Sequence, residues 1–291
     1  MTLVSGMKLS RLSFGITVVL LLAGSFPVFA TPSENEVRLD IKAFQQFFKG
    51  RFPSLTLDAY ENGIYALPQS IEQKRSWELI NDFSPQKTGF QRGWKKWNTP
   101  FTDNTTFDDC FEGKPGAHRY PYFNGEQVRT IAADINECLQ TQKLPKLNPT
   151  STEMAALVAV YKSKSNGLPM NVEFRRDPVR ALYKKGRDFF WSKRGQLNYS
   201  CADCHIHNAG NRMRGDIIGP ALGQTTGSPA FRIEGMLKGN PWTTIHQQYR
   251  VCQARMQSVP LDAQSEEYIA LELYQAIMNT GVPIKAPSIR K

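Results

Sequence analysis

Apolar residues recur at spacings of three and four along much of this chain, and nowhere do they alternate strictly over the length of a strand. Ile71, Trp77, Leu79, Ile80 and Phe83 predict a short helix over 70–83. Val128, Ile131, Ala132, Ile135, Cys138 and Leu139 predict an amphipathic helix over 125–141. Met154, Leu157, Val158 and Tyr161 predict a third over about 152–164, capped by Thr150 or Ser151 and stopped by Gly167. From Gly89 to Pro121 the glycines and prolines predict a turn-rich, aromatic loop. Residues 31–69 carry few periodic signals and read as an extended N-terminal arm.

The second half has a clearer plan. Asp177-Pro178 opens a helix whose Val179, Leu182, Tyr183, Gly186, Phe189 and Phe190 keep helical spacing to about Arg194. Gly195 ends it, and Cys201-Ala202-Asp203-Cys204-His205 follows. A long loop runs through 209–244. Ser265 caps a last helix, where Glu266 and Glu267 suit the positive end of the dipole. Ile269, Leu273 and Ile277, with Tyr268, Leu271, Tyr274 and Met278, give it a broad apolar face. Helix, CxxCH, long loop and terminal helix is the layout of a class I cytochrome c domain, in which the first and last helices cross. Gly186 would let an aromatic side chain of the last helix approach closely.

The expected fold is therefore mainly α. It comprises two cytochrome c-like (class I) helical domains, the first (31–168) without haem and bearing the extended arm, the second (169–291) binding haem. At 291 residues the length suits two domains. Residues 1–30 are expected to be a cleaved signal peptide. Lys8 and Arg11 precede an apolar run from Phe14 to about Leu22, and Val28-Phe29-Ala30 offers a cleavage site. Met7 begins a cleaner leader than Met1. The run is too short for a membrane helix and no later segment could span, so the mature protein is expected to be soluble and periplasmic. Losing the leader takes two basic residues and lowers the net charge from +10 to +8. A basic surface favours anionic partners, and nucleic acid is a poor match for an exported chain.

Cys-x-x-Cys-His is the attachment motif for c-type haem: two thiols bond the vinyl groups and the adjacent histidine reaches the iron. Export agrees with that reading. A thioredoxin-type disulfide would need a strand before the motif, a zinc site would have to recruit His246 and Cys252, and a plain disulfide leaves His205 unexplained. For the sixth ligand, His207 lies too near the attachment loop, and Met213, Met236 and His246 are further candidates. Met256 and Cys252 stand 51 and 47 residues after His205, and spacing does not separate them. Cysteine arithmetic favours Cys252. Of five cysteines, two go to haem and Cys110 and Cys138 can pair, which leaves Cys252 as the odd thiol. A thiolate ligand would lower the haem potential relative to methionine.

The chain resembles the SoxA family, the haem-bearing subunits of the SoxAX cytochromes of sulfur-oxidising bacteria. The resemblance is densest from Phe189-Phe190 through Gln196-Leu197-Asn198-Tyr199-Ser200 to His205. It continues at Ala209-Gly210, Gly219-Pro220-Ala221-Leu222-Gly223, His246 to Cys252 and Gln264-Ser265-Glu266-Glu267-Tyr268. In the first half, Tyr120-Pro121-Tyr122-Phe123 and Ile135-Asn136-Glu137-Cys138 also match. The resemblance implies one covalently bound haem c, held by Cys201 and Cys204 with His205 and Cys252 as iron ligands. It implies an L-cysteine S-thiosulfotransferase that couples thiosulfate to a SoxYZ-like carrier cysteine and passes two electrons to cytochrome c. Cys252 would carry the intermediate, and a SoxX-like cytochrome c subunit would be its partner.

Two departures from the family stand out. There is no second CxxCH in the first half, where Cys110 and Cys138 resemble the disulfide of monohaem members. Four positions before the ligand cysteine, where the family has a substrate-binding arginine, stands Gln248, which brings neither charge nor a bidentate fork. Arg250 is the expected catalytic substitute, ahead of Arg214 and Lys238; Arg212 and Arg214 could also meet haem propionates. The alternative expectation is a haem protein that transfers electrons or assembles with a partner without catalysis. The five tryptophans, Tyr249, His118 and His207 read as structural.

Overall fold

In the computed structural model, residues 30–83, 85–213, 215–233, 235 and 241–290 are described. Where the sequence suggested an extended arm, the chain opens with helix α1 (Glu34–Arg51). Ser33 and Glu36 cap each other reciprocally: the Glu36 backbone donates to Ser33 Oγ at 3.2 Å, and the Ser33 backbone donates to the Glu36 carboxylate at 2.6 Å. Val37, Phe44 and Phe48 form its buried stripe with Ile41 beside them. That spacing of four, three and four is helical, so the correction follows from a pattern already in the chain. Short 3-10 turns over 58–70 lead to α2 (Ile71–Phe83), which forms as expected but leaves Ile71, Leu79 and Phe83 exposed.

Helix α3 (Gln86–Asn98) runs through what the glycines suggested was a loop. Gly89 and Gly93 mark close packing there. A Cβ on Gly89 would overlap the Trp242 indole, and one on Gly93 would stand 2.9 Å from the Ala156 carbonyl oxygen. A single turn, α4 (Phe107–Cys110), and a hairpin of β1 (Tyr122–Phe123) and β2 (Val128–Arg129) follow. The hairpin takes up Val128, so α5 (Ile131–Thr141) starts later than its apolar pattern suggested. In α6 (Thr152–Ser163), the Ser151 hydroxyl accepts from the Met154 backbone, as expected.

The second half contains α7 (Asp177–Trp191), α8 (Ile245–Arg255) and α9 (Glu266–Met278), the last capped by Ser265. Its long loop carries an antiparallel pair, β3 (Arg212–Met213) with β4 (Asp216–Ile217). It also builds a small sheet in which β5 (Ala230–Arg232) pairs antiparallel with β6 (Trp242–Thr243) and parallel with β7 (Ser288–Arg290).

The two most extensive helix contacts are α7 with α9 and α3 with α6. Both use the same device. A Cβ on Gly186 would overlap the Ala270 carbonyl and stand 2.8 Å from Tyr274 Cβ, just as Gly93 admits Ala156. The aromatic approach expected at Gly186 is thus present. In the first half the interior is filled by aromatic rings. Trp97 stacks on Phe107 at 5.1 Å and on Tyr161 at 5.7 Å, and Phe111 lies 4.4 Å from Tyr161. Cys110 and Cys138 are bonded beside them. From Thr31 onward the chain forms one compact unit. The boundary expected near Gly167–Pro169 is anchored to the C-terminal tail, Gly167 donating to the Ile284 carbonyl at 2.9 Å and Met170 to that of Val282 at 3.0 Å. Among the described residues no helix is long and apolar enough to cross a membrane. The expected leader lies, save Ala30, outside them.

These contacts set stability expectations readable by denaturant unfolding. Gly186→Ala destabilises by about 1–3 kcal/mol through overpacking, whereas Gly50→Ala, in an open part of α1, leaves stability unchanged or raises it by up to about 0.5 kcal/mol. Replacing Cys110 and Cys138 together by alanine costs about 3 kcal/mol.

Candidate functional site

The attachment motif sits on a tight turn held by its own side chains. Ser200 Oγ accepts from the Asp203 backbone at 3.0 Å, and the Asp203 carboxylate accepts from the Ser200 backbone at 2.8 Å. The turn passes directly into the helical stretch Asp203–His207, so Cys201, Cys204 and His205 are presented together. Cys201 and Cys204 are both free thiols, although the same chain joins Cys110 to Cys138. Burial pushes the Cys201 thiol up to about 11 and raises that of Cys204. Arg194 Nη1 lies 3.8 Å from Cys201 Sγ, and its guanidinium covers the Phe189 ring at 3.7 Å.

His205 Nδ1 lies 2.9 Å from the Gly219 carbonyl oxygen. That contact fixes the ring and leaves Nε2 for an iron. The Gln224 side-chain amide also reaches Nδ1, at 2.6 Å, and takes a 3.0 Å hydrogen bond from Gln275 Nε2; Tyr249 OH in turn donates to Gln275. Tyr249, on α8, is thereby tied to the imidazole on the far side of the site.

Cys252, one turn further along α8, comes within hydrogen-bonding reach of the His205 ring. Burial alone would raise its thiol. The hydrogen bond and charge of His205, the amide of Gln248 and the positive field of Arg232 outweigh burial and hold it below its ordinary value. Gln248 Nε2 donates to Cys252 Sγ at 3.3 Å, as residues four apart on a helix face can. For His205, burial acts downward and is outweighed by Cys252 and the Gly219 contact, so its affinity for a proton is raised.

The expected catalytic substitute, Arg250, makes its own contacts from α8. Two residues apart on a helix point to opposite sides, and the Arg250 guanidinium donates to the Leu261 carbonyl and lies 3.8 Å from Asp262. Arg232 acts on Cys252 instead. It arrives by sheet pairing from a distant segment, so no local spacing signalled it. Arg212 is exposed, 4.0 Å from Glu72, and Arg214, Lys238 and Met236 lie outside the described residues. His207 packs on Trp191 and Phe47, and His246 Nε2 meets Glu272 at 3.0 Å. Among the described residues no group of three or more His, Cys, Asp or Glu is arranged for a bare metal ion. Two free thiols on one turn and an imidazole anchored through Nδ1 are the donor set that a covalently bound haem c requires, and the Cys252 thiol stands within reach of that imidazole.

Comparison with known proteins agrees with this set. A family model described as the SoxA/TsdA cytochrome c domain matches residues 92–170, the half without the attachment motif. The chain is 32% identical to the L-cysteine S-thiosulfotransferase subunit SoxA of Allochromatium vinosum, over 97% of this chain and 100% of the relative. It is 36% identical to that of Chlorobaculum tepidum, over 90% and 93% respectively. The crystal structure of SoxXA from P. pantotrophus superposes with a TM-score of 0.66 at 25% identity, covering 75% of this chain and 84% of that one.

Were Cys252 the second iron ligand, Cys252→Met in the holoprotein would raise the haem midpoint potential by on the order of 100 mV, because a neutral thioether stabilises the oxidised iron less than a thiolate does. A redox titration followed optically checks this.

Proposed function

The chain belongs to the SoxA family, the subunits of L-cysteine S-thiosulfotransferase, and from that premise we propose that Cys252 joins thiosulfate to the cysteine of a SoxYZ-like carrier protein. The observation that carries this reading is the half-buried thiol of Cys252, drawn towards its anionic form by His205 and Gln248. His205 and Cys252 would hold the iron, and Cys201 and Cys204 would bond the haem covalently. The bound haem c supplies one-electron steps. Cys252 thiolate and the sulfane sulfur of thiosulfate form an S–S bond with loss of two electrons, leaving a Cys252–S–S–SO3⁻ group. The thiolate of the carrier then attacks the sulfane sulfur and breaks that bond. Carrier–S–S–SO3⁻ departs, Cys252 returns as thiolate, and the proton of the carrier thiol goes to solvent. Both electrons pass on to cytochrome c. A haem would take up one electron at a time, so the two-electron loss agrees with assembly with a SoxX-like cytochrome c subunit. The domains are 31–168, helical and without haem, and 169–291, carrying it. Covalent haem attachment and the leader sequence support a periplasmic location.

Gln248 favours a second reading, electron transfer or assembly without catalysis, because it supplies no charge where the family carries an arginine. Steady-state assays of the complex with thiosulfate and the carrier separate the two. The leading reading expects measurable turnover in the wild type and at least a 1,000-fold loss in Cys252→Ala, about 4 kcal/mol of barrier. Retained turnover in Cys252→Ala contradicts it. An inactive wild type that gains turnover in Gln248→Arg establishes the second reading.

A further inference from the structure

Side chains from three separate segments stand in one row behind His205. The Gln224 amide meets its Nδ1 at 2.6 Å, Gln275 Nε2 donates to Gln224 Oε1 at 3.0 Å, and the Tyr249 hydroxyl donates to Gln275 Oε1. Gln224 lies in the loop between β4 and β5, Gln275 on α9 and Tyr249 on α8. Gln275 and Tyr249 are buried, so bulk water does not complete their hydrogen bonds. The loop has little freedom to withdraw Gln224. On one side Gly223 donates to Asn279 Oδ1 at 2.6 Å, and on the other the Thr225 carbonyl accepts from the buried Lys162 ammonium at 2.5 Å. A Cβ on Gly223 would overlap the Tyr60 carbonyl oxygen, which closes a third side.

The direction of this row decides what His205 can do. With Tyr249 donating to Gln275 and Gln275 to Gln224, the amide nitrogen of Gln224 is left for the ring. An N–H there needs a bare Nδ1, which in a neutral ring puts the proton on Nε2, where iron must bind. A ring that gives Nε2 to iron carries its proton on Nδ1 and needs oxygens around it. The Gly219 carbonyl is one, at 2.9 Å. Gln224 supplies a second once its amide makes a half-turn, which exchanges oxygen and nitrogen with almost no movement of the chain. Its nitrogen then faces Gln275, which must turn as well, and the Tyr249 hydroxyl becomes the acceptor at the end of the row.

We propose that Gln224 and Gln275 are positioning residues for His205, set by ligation through Nε2 so that Gln224 Oε1 shares the Nδ1 proton with Gly219 and lowers the haem potential. The proposal rests on His205 as an iron ligand and is independent of Cys252. A second acceptor at Nδ1 makes the ring a more electron-rich ligand and stabilises the oxidised iron. Gln275 acts through Gln224, by accepting from its nitrogen and keeping its oxygen on the ring.

Redox titration of the holoprotein tests this, with EPR of the oxidised form to verify that the low-spin ligand set is intact. Gln224→Leu removes the second acceptor and is expected to shift the reduction equilibrium at least about threefold towards reduced haem, about 30 mV for one electron. Gln224→Glu, whose carboxylate only accepts, shifts it the other way. Gln275→Leu gives a smaller rise, which vanishes when residue 224 is already leucine. Equal potentials in wild type, Gln224→Leu and Gln224→Glu overturn the proposal. So do shifts of one sign in both, which mark disturbed packing rather than a shared proton, and a Gln275→Leu shift of the same size with and without Gln224. If Gln224→Leu loses its haem, the opposite shifts of Gln224→Glu and Gln275→Leu still decide. Failure of the ligand assignment looks different: His205→Ala would keep the wild-type EPR spectrum, whatever residue 224 did.

Discussion

Drawing the half-buried sulfur of Cys252 towards its anionic form is the constraint on which the rest of this structure turns. Desolvation opposes the charged form of any thiol, and Cys252 is buried enough for that to be its largest single influence. What tips the balance is gathered from within α8 and from two distant parts of the chain. His205 comes from the attachment turn, Gln248 from one turn earlier in α8, and Arg232 from the central strand of the small sheet. None of the three acts alone, and each is placed by a different kind of structure: a capped turn, a helix repeat and a strand pairing. The covalent motif fixes where a haem binds. The second ligand and its surroundings decide what that haem is used for.

The two halves of the molecule start from the same plan and put their interiors to different ends. In each, two helices pack where a glycine admits an alanine carbonyl, at Gly93 with Ala156 and at Gly186 with Ala270. The first half then closes its core with Trp97, Phe107, Phe111 and Tyr161 and bonds Cys110 to Cys138. In the second, the corresponding region presents two free thiols and an imidazole. The cytochrome c domain family matches the half that lacks the motif, which shows that the helical frame persists without the attachment residues.

Much of this was readable from residue order. The attachment motif, the caps at Ser151 and Ser265, and the close approach at Gly186 are local signals, and each is found where it was expected. Helix α1 was equally local, since Ser33 and Glu36 spell a capping box and Val37, Ile41, Phe44 and Phe48 a stripe; polar residues between them obscured the period. Helix α3 was hidden for a physical reason. Gly89 and Gly93 lower helix propensity, but they are required for packing against Trp242 and Ala156. Arg250 stands two residues before Cys252 in sequence, and its guanidinium is engaged with the Leu261 carbonyl and near Asp262. Arg232 had no local signal at all, because its neighbours are fixed by pairing between segments far apart in the chain.

The account stands most directly on the covalent state of one residue. The measurement is tandem mass spectrometry of the Cys252 peptide, isolated without reductant after the oxidised complex has met thiosulfate in the absence of the carrier. The account predicts that Cys252 carries one added S2O3 group, which disappears when reduced carrier is supplied. An unmodified Cys252 in a complex that is nevertheless turning over would contradict it.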